Sequence, residues 1–293
     1  MHDSHIHLAL EPLKENVDEI VEEFLQDQGK YILTQGTDII DLRDTIAIAK
    51  RYPHIIHVAL GLHPTLFEEI TILKGITKNM EKTARKHMLE FEELFNQNLT
   101  NISAVGETGL DYYQYTLDRG INREDIEQIK KIQKDSFQLH LRLAKEHNLP
   151  LSIHVRDTNE KQECVKDVIE MVAKEGRGLL RGSFHSYTGG LEYIDDILNL
   201  GFYIGFNAII TYKSGENVRN ILEKTPVERI LFETDGPFLP PQSIRKNKKI
   251  KQKYAKPSHV REIIETASQI KNMPMDELEK ITDRNYENLF LNL

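Results

Sequence analysis

The chain of 293 residues contains a single cysteine, Cys164, and no long apolar run. One thiol cannot form an intrachain disulfide, so the composition fits a reducing compartment and excludes a disulfide-stapled scaffold. No segment approaches the roughly 18 to 20 consecutive apolar residues of a membrane-spanning helix. The first residues also lack the basic stretch and apolar region of a signal peptide. We therefore expect a cytoplasmic protein without a membrane span.

Several catalytic motifs are missing from the sequence. There is no GxSxG elbow, no GxxxxGK[ST] loop and no GxGxxG after an apolar run, which excludes serine-hydrolase, P-loop and dinucleotide-binding interpretations. The formal net charge of −8 argues against a molecule that binds polyanions over its whole surface. Any contact with nucleic acid would have to be local.

Short β-rich apolar runs alternate with amphipathic stretches along the chain. The runs span 2–7, 31–36, 55–61, 102–107, 150–155, 179–185, 202–207 and 229–234. The amphipathic stretches span 13–29, 39–52, 83–97, 124–147, 159–175, 190–200, 215–225 and 258–271, with a further one near 275–289. Such alternation predicts a parallel sheet, and eight units predict a (β/α)8 TIM barrel, an α/β fold forming a single domain over 1–293. A doubly wound open sheet is the structural alternative.

Residues suited to metal coordination stand at the ends of these runs. They are His5, His7, Glu107, His154, His185 and Asp235. Imidazoles combined with carboxylates hold catalytic divalent metals, and the active sites of α/β barrels lie at the carboxyl ends of the strands. His5 and His7 are two residues apart, so their side chains share one side of a strand. A histidine pair alone could also be a satisfied core pair, but the full set favours a metal site.

The six residues predict a binuclear centre with two divalent metal ions. His5, His7 and Asp235 would bind one ion, and His154 and His185 the other. Glu107 would bridge them, because two neighbouring cations repel and need a shared anion. A bridging water would lose a proton near neutral pH and become the nucleophile. Asp235 would orient this water and accept its proton. Nitrogen-rich ligation suits zinc or manganese, whereas phosphoryl transfer often uses magnesium.

Four other residues stand at or near the ends of the apolar runs. His63 is either a contact to a substrate phosphate or leaving group, or a loop histidine bonded to backbone. Arg156 either grips a phosphate with its forked guanidinium or pairs with a nearby carboxylate. Asp111 supports a ligand or caps a loop, and Glu233 orients a ligand histidine or pairs with a lysine.

Two connections, 64–82 and 236–257, are long for a barrel and lie where substrate specificity is usually carried. The second holds seven cationic residues between Ile244 and Pro257 and no acidic residue. They are Arg245, Lys246, Lys248, Lys249, Lys251, Lys253 and Lys256. This segment either binds nucleic-acid phosphates or is a solvated lysine-rich loop.

Motifs along almost the whole chain resemble, in order, those of the TatD family of metal-dependent deoxyribonucleases, within the amidohydrolase-like barrels. They are Asp3-Ser4-His5-Ile6-His7, Gly61-Leu62-His63-Pro64, Gly106-Glu107-Thr108-Gly109-Leu110-Asp111-Tyr112-Tyr113, Leu149-Pro150-Leu151-Ser152-Ile153-His154-Val155-Arg156, Phe184-His185-Ser186-Tyr187-Thr188-Gly189, Gly205-Phe206-Asn207, Glu233-Thr234-Asp235-Gly236-Pro237-Phe238-Leu239, and an Asn-containing closing helix at 285–290. The resemblance implies a (β/α)8 barrel with a two-metal site and 3′ to 5′ exonuclease or related phosphodiesterase activity on DNA.

By motif position the resemblance implies that the same six residues are the ligands. It also implies that Glu107 takes the place of a modified lysine in related barrels, and that His63 lies near the substrate phosphate. Two positions depart from the family pattern. Ser186 stands where the family often has cysteine, and residues 254–257 (Tyr-Ala-Lys-Pro) stand where it usually has Arg-Asn-x-Pro.

The sequence as a whole predicts a divalent-metal phosphodiesterase, a 3′ to 5′ exodeoxyribonuclease that acts on DNA ends as a monomer. The enzymatic alternative is an amidohydrolase-type lactonase or amidase acting on a small molecule with the same metals. The cationic segment favours the nuclease. A metal-containing binding module without turnover is the third alternative, which the complete ligand set disfavours.

Overall fold

The computed structural model describes residues 1–68, 79–113, 123–157 and 162–291, and its eight strands form one parallel sheet in the order of the chain. The strands are β1 His2–Ile6, β2 Tyr31–Gln35, β3 Ile56–Leu60, β4 Ala104–Asp111, β5 Leu151–Arg156, β6 Gly182–Phe184, β7 Tyr203–Phe206 and β8 Ile230–Phe232. A doubly wound sheet reverses its strand order at a switch point, and this sheet does not. The predicted TIM barrel is therefore confirmed.

Helices connect successive strands and cover the outside of the sheet. They are α1 Val17–Gln26, α2 Ile39–Arg51, α3 Met80–Asn98, α4 Arg123–Glu146, α5 Glu163–Gly176, α6 Ile194–Asn199, α7 Glu216–Lys224, α8 Val260–Lys271 and α9 Met275–Tyr286, with short helices at Leu66–Glu68 and Gln242–Lys246. Most of the long connection predicted at 64–82 lies outside the described residues. Within the described part of the chain, no helix is long and apolar enough to cross a membrane.

Successive side chains of a strand point to opposite faces of the sheet, so the apolar side chains fall into two regions. On β2, Ile32 packs into the large apolar layer between sheet and helices, whereas Leu33 belongs to a smaller cluster inside the barrel. That inner cluster also contains Ala59, Ala104 and Leu231 from other strands, and Tyr286, Leu289 and Phe290 from the end of the chain. The amino-terminal end of the barrel is therefore closed by apolar side chains, which leaves the carboxyl end for polar groups.

Asn285 fastens the closing helix α9 to the start of β8. Its Nδ2 donates hydrogen bonds to the carbonyl oxygens of Val227 and Ile230, both at 2.8 Å. The residue is only 5% exposed, so these carbonyls have little access to water. Buried polar groups that lose their partner cost more than the bond itself contributes. The asparagine of the closing helix is thus a structural tie.

We expect Asn285→Ala to lower the free energy of unfolding by about 2 kcal/mol, because the buried carbonyl of Ile230 and the half-buried carbonyl of Val227 lose their donor. Chemical denaturation followed by circular dichroism would measure the change. Asn220→Ala is the matched control, since Asn220 is exposed on α7 and alanine there costs nothing in helix propensity. Equal stability of the two variants would contradict the role given to Asn285.

The seam between β1 and β8 is closed largely by hydrogen bonds outside the regular ladder. At its carboxyl end Ile6 and Gly236 form an isolated parallel bridge, and the Asp235 N–H donates to the His5 carbonyl at 2.9 Å. Below this bridge the Asp3 carboxylate accepts from both the N–H and the Oγ1 of Thr234, at 3.0 and 2.6 Å. The seam thus fixes the two strand ends that carry candidate metal ligands.

Candidate metal centre

The carboxyl end of the barrel holds a cluster of imidazoles and carboxylates. All six residues predicted as ligands contribute to it, together with His63. Three overlapping groups have ligand atoms within 4.8 Å of one another: His5, His7 and Asp235; His5, Glu107 and His185; and His63, Glu107 and His154. The strands therefore bring together side chains that are far apart in the sequence, as the barrel topology predicts.

Glu107 lies at the centre of this cluster and divides its two oxygens between two sides. Oε2 is 3.3 Å from Nε2 of His5 and 3.4 Å from Nε2 of His7. Oε1 is 2.7 Å from Nε2 of His185, 2.8 Å from Nδ1 of His154 and 3.2 Å from Nε2 of His63. The arrangement differs from the predicted grouping in two respects: His154 lies with His63 as well as with His185, and the His185 ring stacks on that of His5 with centroids 3.7 Å apart.

The position of Glu107 within its strand differs from the prediction. The run 102–107 was expected to end at this residue, but β4 continues to Asp111. Pairing with β5 extends from Thr108–Ile153 to Asp111–Arg156, which lengthens β4 by four residues beyond Glu107. The carboxylate therefore lies deep in the barrel and its side chain is only 3% exposed.

The tautomer of His154 indicates what the cluster can hold. Its Nε2 lies 3.1 Å from Oδ2 of Asp111, and a ring nitrogen beside a carboxylate acts as the donor. In the neutral ring Nδ1 then carries a lone pair, and it faces Oε1 of Glu107 at 2.8 Å and Nε2 of His185 at 3.2 Å. Despite burial, the carboxylates of Asp111 and Glu107 raise the pKa of this ring, so without a metal it can be protonated and donate from both nitrogens. In the neutral form, a cation between Nδ1 and Oε1 would take the place of that proton. The donor set therefore fits a divalent cation.

Burial and neighbouring charges shift the pKa values of the histidines in different directions. Burial lowers the pKa of His5 to about 3, so this ring is neutral near pH 7 and offers a lone pair. Burial also acts to lower the pKa of His7 and of His185, but their carboxylate neighbours outweigh it and raise both values. The Glu107 charge contributes in both cases. Positive charge is thus favoured within the cluster, in keeping with a cation site.

The two carboxylates that would offset a metal charge are held ionised. Burial alone would raise the pKa of Glu107, but the neighbouring histidines, with His63 and His185 contributing most, lower it well below its ordinary value. Burial also opposes ionisation of Asp235, yet the nearby His7 and the other histidines lower its pKa. The Asp235 side chain remains 15% exposed, so it borders the solvent-facing side of the cluster.

Buried polar groups behind the cluster orient its members. Ser152 Oγ lies 3.1 Å from Nδ1 of His5, which directs Nε2 of that ring toward Glu107. Glu233 accepts from the backbone N–H of Ser186 and lies 3.7 Å from Nδ1 of His185. Of the two alternatives for Glu233, the structure thus favours orientation of a histidine. Asp111 supports His154 and also accepts from the Tyr113 N–H at 2.9 Å.

The motif Gly205-Phe206-Asn207 positions residues that support the cluster. A Cβ atom at Gly205 would lie 2.4 Å from Oε2 of Glu233, so any larger residue there would displace that carboxylate. Asn207 donates to Oγ of Ser186 at 2.7 Å, which fixes the segment directly after His185. The motif therefore shapes the supports of the cluster and does not add a ligand to it.

Sequence reasoning did not single out Ser152, Asp3 or Thr234 as supporting residues. The spacing in the sequence could have indicated two of them, because Ser152 precedes His154 by two residues and Asp3 precedes His5 by two. In strands this spacing places side chains on the same face. A polar residue on the inner face next to a ligand candidate is a reasonable sign of such a support.

His63 and Arg156 occupy different environments. Nε2 of His63 lies 3.3 Å from Nδ1 of His154, so the ring joins the cluster and is a further candidate ligand. Its loop is held by His140 on α4, whose Nε2 accepts from the Leu62 N–H at 2.9 Å. The Arg156 guanidinium instead lies over the Tyr113 ring, 4.0 Å from the centroid. Within the described ranges it forms no ion pair, so the carboxylate pairing considered for it is not observed.

An eight-stranded parallel barrel with imidazoles and carboxylates converging at the carboxyl ends of its strands defines the class of metal-dependent barrel hydrolases. The family model described as TatD related DNase matches residues 2–291. The chain belongs to the TatD family of metal-dependent hydrolases, and it is an enzyme of that kind.

Individual relatives agree with this assignment over their full length. The chain is 29% identical over 288 residues to YabD of Bacillus subtilis, covering 98% of both chains. It is 30% identical over 292 residues to BU355 of Buchnera aphidicola, again covering 98% of both. Both relatives are named uncharacterized metal-dependent hydrolases. The crystal structure of YJJV, a TatD homologue from Escherichia coli K12, matches with a TM-score of 0.80 over 99% of this chain and 98% of that chain at 21% identity, which supports the fold.

Proposed function

We propose that this chain is a phosphodiesterase that removes nucleotides from DNA ends in the 3′ to 5′ direction with two divalent ions bound at the cluster. The observation that carries the proposal is the division of the Glu107 oxygens, with Oε2 beside His5 and His7 and Oε1 beside His63, His154 and His185. A carboxylate with one oxygen on each side can balance the charge of two adjacent cations. The family name, TatD related DNase, supports DNA as the substrate.

His5, His7 and Asp235 would hold one ion, whereas His154 and His185, with His63 beside them, would hold the other. When bound, the ions would polarise the phosphoryl oxygen and lower the pKa of water at the site. Asp235 borders the solvent-facing side of the cluster, where it would orient the attacking water and accept its proton. Arg156 would bind a substrate phosphate with the guanidinium that Tyr113 supports.

A metal-reconstitution assay tests the proposal and separates it from its alternatives. The purified protein is stripped of metal, reloaded with magnesium, manganese or zinc, and offered end-labelled single-stranded DNA, RNA and a panel of lactones and amides. We expect metal-restored release of nucleotides from the 3′ end of DNA. Turnover of a lactone or amide with intact DNA would support the small-molecule hydrolase instead. Metal binding without any turnover would support a binding module.

The cationic segment 245–256 is anchored beside the cluster at both ends. The Tyr212 hydroxyl donates to the Pro240 carbonyl at 2.8 Å, and the Ala255 N–H donates to the Pro237 carbonyl at 3.0 Å. The segment therefore leaves and returns close to Asp235. Six cations on it have exposed side chains: Arg245, Lys246, Lys248, Lys249, Lys251 and Lys253. Lys256 differs, because it pairs with Glu23. We propose that the exposed cations bind the phosphates upstream of the cleaved end.

Reversing Lys248, Lys249 and Lys251 to glutamate should weaken binding of single-stranded DNA and flatten its dependence on salt. Three lost phosphate contacts would reduce the slope of log K against log salt by about 2. Fluorescence anisotropy with a chelator present measures binding without cleavage. The control variant reverses Lys86, Lys174 and Lys280, exposed on α3, α5 and α9, for the same change in net charge. Equal behaviour of the two variants would leave the segment as solvated surface.

A further inference from the structure

Phe238 lies at the rim of the cluster with most of its ring in solvent. Its side chain is 59% exposed, and its ring centroid is 5.6 Å from that of His7 at an angle of 69°. The Phe238 N–H donates to the Asp235 carbonyl at 2.9 Å. The backbone of Phe238 is therefore hydrogen-bonded to that of a candidate ligand. An exposed aromatic ring is therefore held in place directly beside the proposed reaction centre.

Exposure alone would not distinguish this residue, because single apolar side chains are common on protein surfaces. Other aromatic rings around this end of the barrel are covered by cations. Arg156 lies 4.0 Å from the Tyr113 centroid, Arg245 lies 4.2 Å from that of Tyr212 and Lys130 lies 4.6 Å from that of Tyr112. Among the described residues no cation lies over Phe238. Its ring thus keeps surface that can receive a planar ligand.

Phe238 follows Asp235 by three residues and precedes, in the same loop, the exposed cations of segment 245–256. A nucleic-acid strand presents the complementary sequence of groups, since each phosphate is followed, one sugar away, by an aromatic base. Aromatic side chains bind successive bases by stacking, without a strong preference for sequence, in proteins that hold single strands. The order of features along this rim matches that chemistry.

We propose that Phe238 stacks on the nucleobase adjacent to the phosphodiester bound at the cluster, and so selects for strands that carry a base at the cleaved end. This inference rests on the proposed function, because it assumes that the cluster receives a nucleic-acid phosphodiester. Phe238 is a specificity-determining residue under this proposal. It contributes no proton transfer and no metal coordination.

The test compares binding of two single-stranded DNA probes, one with 2-aminopurine as its 3′-terminal base and one with an abasic 3′-terminal residue. Dissociation constants are measured on the metal-loaded protein, with cleavage-resistant phosphorothioate linkages at the 3′ end of both probes, together with quenching of the 2-aminopurine fluorescence. We expect the wild-type protein to prefer the probe with a terminal base by at least about fivefold. Phe238→Ala should abolish this preference and the quenching.

Two additional variants separate stacking from apolar contact and from folding. Phe238→Tyr keeps an aromatic face and should retain the preference, whereas Phe238→Leu keeps apolar surface and should lose it. Leu179→Ala is the matched control, because Leu179 is 70% exposed in the turn before β6, at the opposite end of the barrel. It should behave as wild type.

The outcomes distinguish this inference from the proposed function. Absence of a preference in the wild-type protein, or a preference that Phe238→Ala retains, overturns the stacking role even when DNA is cleaved. A preference that depends on Phe238 in a protein that cleaves no DNA supports the stacking role and refutes the proposed reaction.

Discussion

Glu107→Gln should reduce metal-dependent DNA cleavage by at least about a thousandfold, equivalent to about 4 kcal/mol of transition-state stabilisation. Glutamine nearly preserves the shape of the side chain but removes its negative charge and leaves one carbonyl oxygen. It therefore cannot offset two cations or face both groups of histidines, which lie on different oxygens of Glu107. We expect bound metal, measured by elemental analysis, to fall in parallel with kcat.

The matched control for this variant is Glu146→Gln on the surface of α4. Glu146 is 49% exposed and, among the residues that the structure describes, pairs with Arg142 alone, one turn away. Such exposed pairs contribute at most about 1 kcal/mol to stability. This variant should retain both its metal and its activity. If Glu107→Gln kept two ions per chain and wild-type turnover, the bridging role would be refuted.

Asp235→Asn should also reduce cleavage by at least about a thousandfold, while the metal-free protein loses less thermal stability than Asp235→Ala does. Asp235 has a left-handed backbone, with φ of 54°. Asparagine adopts this conformation more readily than other non-glycine residues, so the substitution removes the charge without straining the chain. The loss would then report on the carboxylate as ligand and proton acceptor.

Single-turnover kinetics on the end-labelled strand and a thermal melt would measure these two effects separately. Asp235→Ala is the informative companion, since alanine in the left-handed region costs about 1 to 2 kcal/mol. It should lose activity and also melt at a lower temperature. Cleavage that persists in both variants would indicate another site or a contaminating nuclease.

The sequence predicts the barrel well, because runs and amphipathic stretches alternate regularly, but it misjudges where some strands begin or end. The run 179–185 becomes the shorter β6, Gly182–Phe184. Its first residues are apolar, yet the Leu179 N–H donates to the Gly176 carbonyl at 2.9 Å. They therefore form the turn that follows α5. Hydrophobicity alone does not distinguish a strand from an apolar turn beside it.

The choice of cluster residues was also accessible from the sequence, since each candidate stands at or near the carboxyl end of a run. The orientation of each ring was not. Nδ1 of His154 faces Glu107 because Asp111, 43 residues away in the chain, lies beside Nε2. His63 joins the cluster because its loop is fixed by His140, 78 residues from Leu62. Such long-range contacts leave no trace in local patterns.

The seam between β1 and β8 has a consequence for how the enzyme is assembled. His5 and His7 lie on or directly after β1, whereas Asp235 leaves the ribosome only after all eight strands have preceded it. A nascent chain that has not yet reached β8 contains His5 and His7 but lacks Asp235, the third member of their group. An ion bound by all three residues therefore requires that β1 and β8 have already paired, so full metal binding depends on closure of the barrel.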